Sequence, residues 1–170
     1  METTTSPWPP RSADATGLLT AYTGLLSWPL LADRVPVAAD AGTVLTRLRN
    51  TEWSVLCGDR FDAVSVPAVA GRETALLLER DEDLQRAGTV VPCLVAGDQR
   101  FFFVRPGTAP RVPGAEVLSG ESRVVLPPTF GLRWETPPWA RAGRRPLDLP
   151  DGQVLTRWLR VPTGPPAHQH

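Results

Sequence analysis

The chain has 170 residues, 42% of them apolar, and its 18 acidic side chains balance 18 basic ones. That length and apolar content suit one domain with a buried core, while zero net charge excludes both a global basic field for polyanions and an acidic tail. Every basic residue is arginine, isoleucine is absent and Asn50 is the one asparagine, a bias expected of a G+C-rich coding sequence, so arginine by itself is weak testimony to phosphate binding.

Residues 1–12, "METTTSPWPPRS", have the Thr, Ser and Pro content of a disordered tail, with Trp8 as a residue able to dock. An ordered domain is expected over 13–161. Asp14 is placed to cap a helix whose Leu18, Leu19, Tyr22, Leu25 and Leu26 share one face, ending by Trp28-Pro29. "PLLADRVPV" reads as a strand, "AGTVLTRLRN" as a short amphipathic helix and "WSVLCG" as an apolar strand bounded by Gly58. "FDAVSVP" is the next strand. Pro67 cannot donate to a ladder but suits a first helical turn, so it predicts a switch into one helix running through "AVAGRETALLLERDEDLQRAG".

"TVVPCLVAG" and "RFFFVRP" read as neighbouring antiparallel strands joined by Gly97-Asp98, a hairpin pair. "AEVLS" and "RVVLPP" follow as two strands separated by Gly120-Glu121-Ser122, and "LRWETPPW" as an edge strand. A basic loop then leads to a helix over residues 153–160 with Asp151 as N-cap, and residues 162–170 are expected to be a disordered tail. The fold class is α+β: a central, mostly antiparallel sheet with flanking helices.

Both histidines, His168 and His170, fall in that tail, so no Ser-His-Asp or Cys-His catalysis and no His-containing zinc site is expected in the domain. Cys57 and Cys93 stand alone in apolar runs and read as buried thiols of a cytoplasmic protein. No apolar run reaches the ~20 residues of a membrane span, so no membrane partner is expected. The carboxylates from Glu79 to Asp83 read as a solvated helix end, because successive positions on a helix do not converge on one ion. The six tryptophans read first as packing residues.

The order of these segments resembles the primase/polymerase (prim-pol) domain of the archaeo-eukaryotic primase superfamily, in particular short actinobacterial-type bifunctional DNA primase/polymerases, over about Gly17 to Trp139. The residues that carry the likeness are "SWPLLADRVP", "FDAVSVP" with its following helix, and above all "RVVLPPTFGLRWETPPW", similar to the family's Pro-Pro-Ser/Thr turn, glycine and Tyr/Val-x-Trp strand. The resemblance implies an RRM-like derived prim-pol core. Active members carry two acidic residues two positions apart on one strand, a histidine on a central strand and a third acidic residue on a neighbour. Residues i and i+2 share a strand face, so such carboxylates converge on the divalent ions, Mg2+ or Mn2+, that clamp the attacking hydroxyl and the triphosphate.

Carried onto this chain, the first-motif positions fall on Ser65 and Pro67, the histidine on Arg100 in "GDQRF", and the third carboxylate on Glu116, with Leu118 replacing an arginine that many members carry. Glu116 is thus the one metal-ligand candidate of the motif, and Asp62 is set aside because alternation turns it to the other face of its strand. Arg100, Arg123, Arg133, Arg141, Arg144 and Arg145 are candidates for nucleic-acid or nucleotide contacts. With the catalytic motifs degenerate, the implied function is non-catalytic binding of nucleic acid, a nucleotide or a protein partner through the inherited cleft. An active template-dependent primase/polymerase is the second reading, and a protein-interaction adaptor the third.

Overall fold

The computed structural model describes residues 8–11, 14–37 and 50–162. Helix α1 (Ala15–Thr20) opens on Asp14, whose carboxylate accepts from the Gly17 amide, and runs directly into a π-turn over Ala21–Leu25. The expected strand "PLLADRVPV" is a small hairpin, β1 (Leu31–Ala32) and β2 (Val35–Pro36), turning through Asp33 and Arg34 at φ 47° and 68°. The helix expected in "AGTVLTRLRN" lies outside the described residues, as does the tail from residue 163 on. Trp8, assigned to the amino-terminal tail, docks: its indole N–H donates to Ala140 O at 3.3 Å, and its ring centroid is 6.0 Å from that of Trp139.

The expected strands "WSVLCG" and "FDAVSVP" are one, β3 (Trp53–Pro67), and the two expected in "AEVLS" and "RVVLPP" are one, β6 (Glu116–Leu126). Gly58 and Gly120, both at positive φ, face each other across the pair instead of ending strands. Beyond them β3 carries Asp59 to Asp62 where β6 carries only Ser119, a bulge that bends the ladder without breaking it. Strands β4 (Cys93–Ala96) and β5 (Gln99–Val104) form the hairpin on Gly97-Asp98, and β7 (Leu132–Thr136) pairs with β4 as the last strand of a seven-stranded sheet. Every pairing is antiparallel: β5 and β6 flank β3, and β4 and β7 extend the sheet beyond β5. The protein is a mixed α+β structure built on an antiparallel sheet.

Each sheet face has its own core. On the first, Phe61, Ala63, Leu94, Phe103, Val124 and Leu126 pack under Leu18, Leu19 and Tyr22 of the α1 segment. Tyr22 is fully buried, and its hydroxyl is used twice, donating to Pro127 O and accepting the Trp134 indole N–H, both at 2.7 Å. On the second face Val64, Val66, Phe102 and Val104 pack under Leu78 of α2 (Ala68–Arg80) and under Leu155 and Leu159 of the segment containing α4 (Gln153–Thr156). The carboxylate of Asp151 accepts from the Gln153 amide at 2.9 Å at the start of α4, which is shorter than its sequence pattern predicts.

Pro67 acts as the switch its chemistry predicts, ending β3 and preceding α2, but the helix after it is two helices. Asp81 breaks the run and starts α3 (Glu82–Ala87), accepting from the amides of Asp83 and Leu84. It is buried rather than solvated, because it also accepts the indole N–H of Trp158 at 2.7 Å, with Arg157 at 3.6 Å. These contacts, the Trp158 bond first, hold the Asp81 carboxyl below its ordinary range. A carboxyl depressed on folding contributes stability above its unfolded pKa of about 4, lost as pH falls through the folded value. The Trp158 environment should therefore change on acidification below about pH 4, and Asp81→Asn should remove that transition from the tryptophan fluorescence.

Gly71 sits where α2 meets the sheet, and a Cβ there would stand 2.7 Å from Arg100 Cβ and 2.8 Å from its Cδ. Alanine gains about 1 kcal/mol of helix propensity over glycine, yet overpacking against the base of a buried side chain costs about 1–3 kcal/mol. Gly71→Ala should lower the unfolding free energy in urea, reversing the sign that propensity alone predicts.

Candidate functional site

Strand β3 fixes the site's geometry, since its alternation separates the residues that the sequence singles out. Ser65 lies directly opposite Phe101 of β5 and Glu116 of β6, and Pro67 lies opposite Gln99. Directly opposed residues share a face, so Ser65, Pro67, Gln99, Phe101 and Glu116 occupy one end of the α1-side face. Ser65 is buried and its hydroxyl hydrogen-bonds the Gln99 side-chain oxygen at 3.0 Å. Phe101 and Gln99 are half-buried, whereas Glu116 and Pro67 are exposed.

Two of the named motif positions are therefore cross-strand neighbours, one a serine and the other a carboxylate. A pair of divalent cations does not fit this donor set. Hard cations need several charged or carbonyl oxygens at short range, and a neutral hydroxyl, a proline and one exposed carboxylate cannot neutralise them. Among the described residues no group of three or more His, Cys, Asp or Glu side chains is placed to hold a metal ion.

Arg100 is not part of this end. It lies opposite Val66, on the α2-side face, where its stem runs under Gly71 and its guanidinium pairs with Glu135 of β7. Its Nε is buried without a hydrogen-bond partner. The Cys93 thiol lies 3.7 Å from the same Glu135 carboxylate, and burial, reinforced by that negative charge, pushes it up to about 12. Such a thiol is a packing group rather than a nucleophile. The motif position therefore supplies a structural ion pair, one residue out of phase with the face that holds Ser65.

Asp62 also belongs to the α2-side face. It is buried, and its carboxylate accepts from the amides of Gly107 and Ala109 at 2.9 and 3.3 Å, so it organises the turn after β5 and is not available to a cation. Arg123 pairs with Glu52. Along β6 it is seven residues from Glu116, about 23 Å at strand spacing. Arg133 shares Arg100's face, because both lie opposite Val95. Arg141, Arg144 and Arg145 are exposed in the loop after Trp139, with the Arg144 guanidinium 5.5 Å from the Trp8 ring centroid. The six arginines named from the sequence do not gather with Ser65 and Glu116.

Two residues that sequence reasoning passed over complete this geometry. Gln99 follows the Gly97-Asp98 turn and reaches Ser65. Its only signal is its position opposite Pro67 once the hairpin register is known. Glu135 lies in the "LRWET" strand, whose charged residues alternate with apolar ones and so declare an exposed face, but not that Arg100 reaches it from two strands away.

With an antiparallel α+β sheet and this polar end described, comparison with known proteins adds no neighbour: no family model, no curated protein and no solved structure matches the chain. No helix among the described residues is long and apolar enough to cross a membrane.

Asp62 provides the check on this division of roles. Asp62→Ala leaves the Gly107 and Ala109 amides without the buried carboxylate that accepts from them and should cost about 1–3 kcal/mol in chemical denaturation. Glu116→Ala, which removes an exposed group with no ion pair among the described residues, should stay within about 0.5 kcal/mol of wild type.

Proposed function

We propose that this chain is a prim-pol-like domain that has lost nucleotidyl transfer and works by binding nucleic acid or a nucleotide at the sheet end carrying Ser65, Gln99, Phe101 and Glu116. One register carries the reading: Ser65 stands opposite Glu116 on neighbouring strands. These are the first and third motif positions of the resemblance, and side by side is how metal-binding carboxylates need to stand. One carboxylate occupies that pair where the chemistry asks for three.

The groups that remain are suited to recognition. A serine–glutamine hydrogen bond orients the amide, Phe101 offers a half-buried ring for stacking, and Glu116 can accept from amino or imino groups of a base. A protein partner on the same end is the competing occupant. Nothing in the donor set favours it, because the exposed member of these four, Glu116, is charged.

The decisive measurement is divalent-dependent incorporation of labelled nucleotides on primed and unprimed templates, beside anisotropy of a labelled single strand. The expected outcome is no incorporation above background with Mg2+ or Mn2+, together with strand binding that weakens as salt rises. Glu116→Lys should change the base preference of that binding. Incorporation abolished by Glu116→Ala would overturn the reading, and a wild-type protein that binds neither strand nor nucleotide would leave the adaptor in its place.

A further inference from the structure

An open depression of about 460 Å³ is lined by Arg60, Arg105, Leu147, Asp148 and Leu149. It is separate from the Ser65 end. Ser65 faces Phe101, and Arg105 lies four residues further along the same strand direction, so about 13 Å of sheet divides the two.

Arg105 is held by the fold, and Arg60 lies over the β3 bulge. The Arg60 guanidinium lies back over Gly58, where a Cβ would stand 2.8 Å from its Nη1, and Gly58 is at φ +52° in the β3 bulge. Arg105 donates from its backbone N–H to Pro150 O at 2.8 Å and from Nε to Leu149 O at 3.1 Å. The turn beneath it is fixed by Asp62 and by Thr108, whose hydroxyl donates to Arg105 O at 2.7 Å and accepts the Gly152 amide at 2.8 Å. With Nε committed, the two terminal nitrogens of Arg105 form the free part of its fork.

Among the described residues neither arginine has a carboxylate within ion-pair distance, although four other arginines do. Asp148 is exposed and lines the depression together with Arg60 and Arg105. Two guanidiniums against the single carboxylate of Asp148 leave this concave surface with an excess positive charge, which an anion would neutralise. A tetrahedral oxyanion offering several acceptor oxygens matches the planar forks best. The half-buried Leu147 and Leu149 add an apolar wall beside the charge, suited to a sugar or base.

We infer that this depression is a phosphate-binding site, taking the phosphate of a nucleotide or of a nucleic-acid backbone, distinct from the Ser65–Glu116 end. The experiment measures wild type, Arg60→Gln and Arg105→Lys against three probes: inorganic phosphate, ATP without divalent metal, and a labelled single-stranded 15-mer. Wild type should bind at least one probe. Arg60→Gln breaks no hydrogen bond among the described residues and should melt like wild type, yet weaken that binding about tenfold, as expected for a charged hydrogen-bond donor. For the strand it should also lower the salt slope by about one.

Arg105→Lys keeps the charge but loses the fork, and should fall between the two. Binding of ATP identifies a nucleotide as the source, whereas binding of the strand alone identifies the backbone. Wild type binding none of the probes at millimolar concentration, or Arg60→Gln binding all of them as wild type does, overturns the inference. Nucleotide incorporation by wild type would refute the non-catalytic reading and leave this site standing, so the two failures are distinguishable.

Discussion

Strand β3 is the constraint on which the rest depends. It pairs with β5 on one side and β6 on the other, and is buried on both faces along "FDAVSV". Because a strand's side chains alternate, Asp62 and Ser65 cannot serve one site. Asp62 goes to the α2 side and becomes an acceptor for the turn after β5, while Ser65 goes to the α1 side and meets Glu116. The same alternation carried across β5 puts Phe101 with Ser65 and Arg100 with Val66. A one-residue slip in either pairing would exchange these sets and bury the wrong ones, so the apolar Val64, Val66, Phe102 and Val104 hold the polar geometry in register.

What was legible in the sequence is what local chemistry decides. Gly97-Asp98 makes its hairpin, and Pro67 turns strand into helix, because each acts through its own backbone. The acceptor at Asp14 was readable for the same reason. Gly58 and Gly120 misled because a lone positive-φ glycine marks a strand end as readily as a bulge, and only their pairing distinguishes the two. Asp81 misled more completely. The leucine periodicity continues across it, and what makes it a buried cap is Trp158, contributed from 77 positions later in the chain. Arg100 belongs to the same class: its partner Glu135 is two strands away, and no spacing along the chain announces it.

On the proposed reading, a serine in place of a carboxylate changes the chemistry of this end of the sheet rather than only weakening it. Paired carboxylates on adjacent strands repel each other, so a metal site of that kind is completed by its cations. Ser65 at the same place removes the repulsion, and its hydroxyl instead bonds Gln99. The result is a patch whose one charged group is the exposed Glu116 carboxylate at its margin. Its remaining free groups are those of hydrogen-bond and stacking recognition, where discrimination comes from unpaired polar groups in the wrong complex.

The charge balance of the whole chain hides an uneven distribution. Acidic and basic totals cancel, yet several carboxylates are committed within the fold: Asp62 to amides, Asp81 to a helix cap and an indole, Glu52 and Glu135 to single arginines. Arg60, Arg105, Arg141, Arg144 and Arg145 have no such partner among the described residues and are all exposed. Salt at physiological strength screens exposed charges beyond about 8 Å, so the zero sum does little to quench these groups at their own surface. Exposed arginines on a protein of zero net charge give weak long-range attraction, which suits contact with a short phosphate-bearing ligand better than capture of a long polyanion.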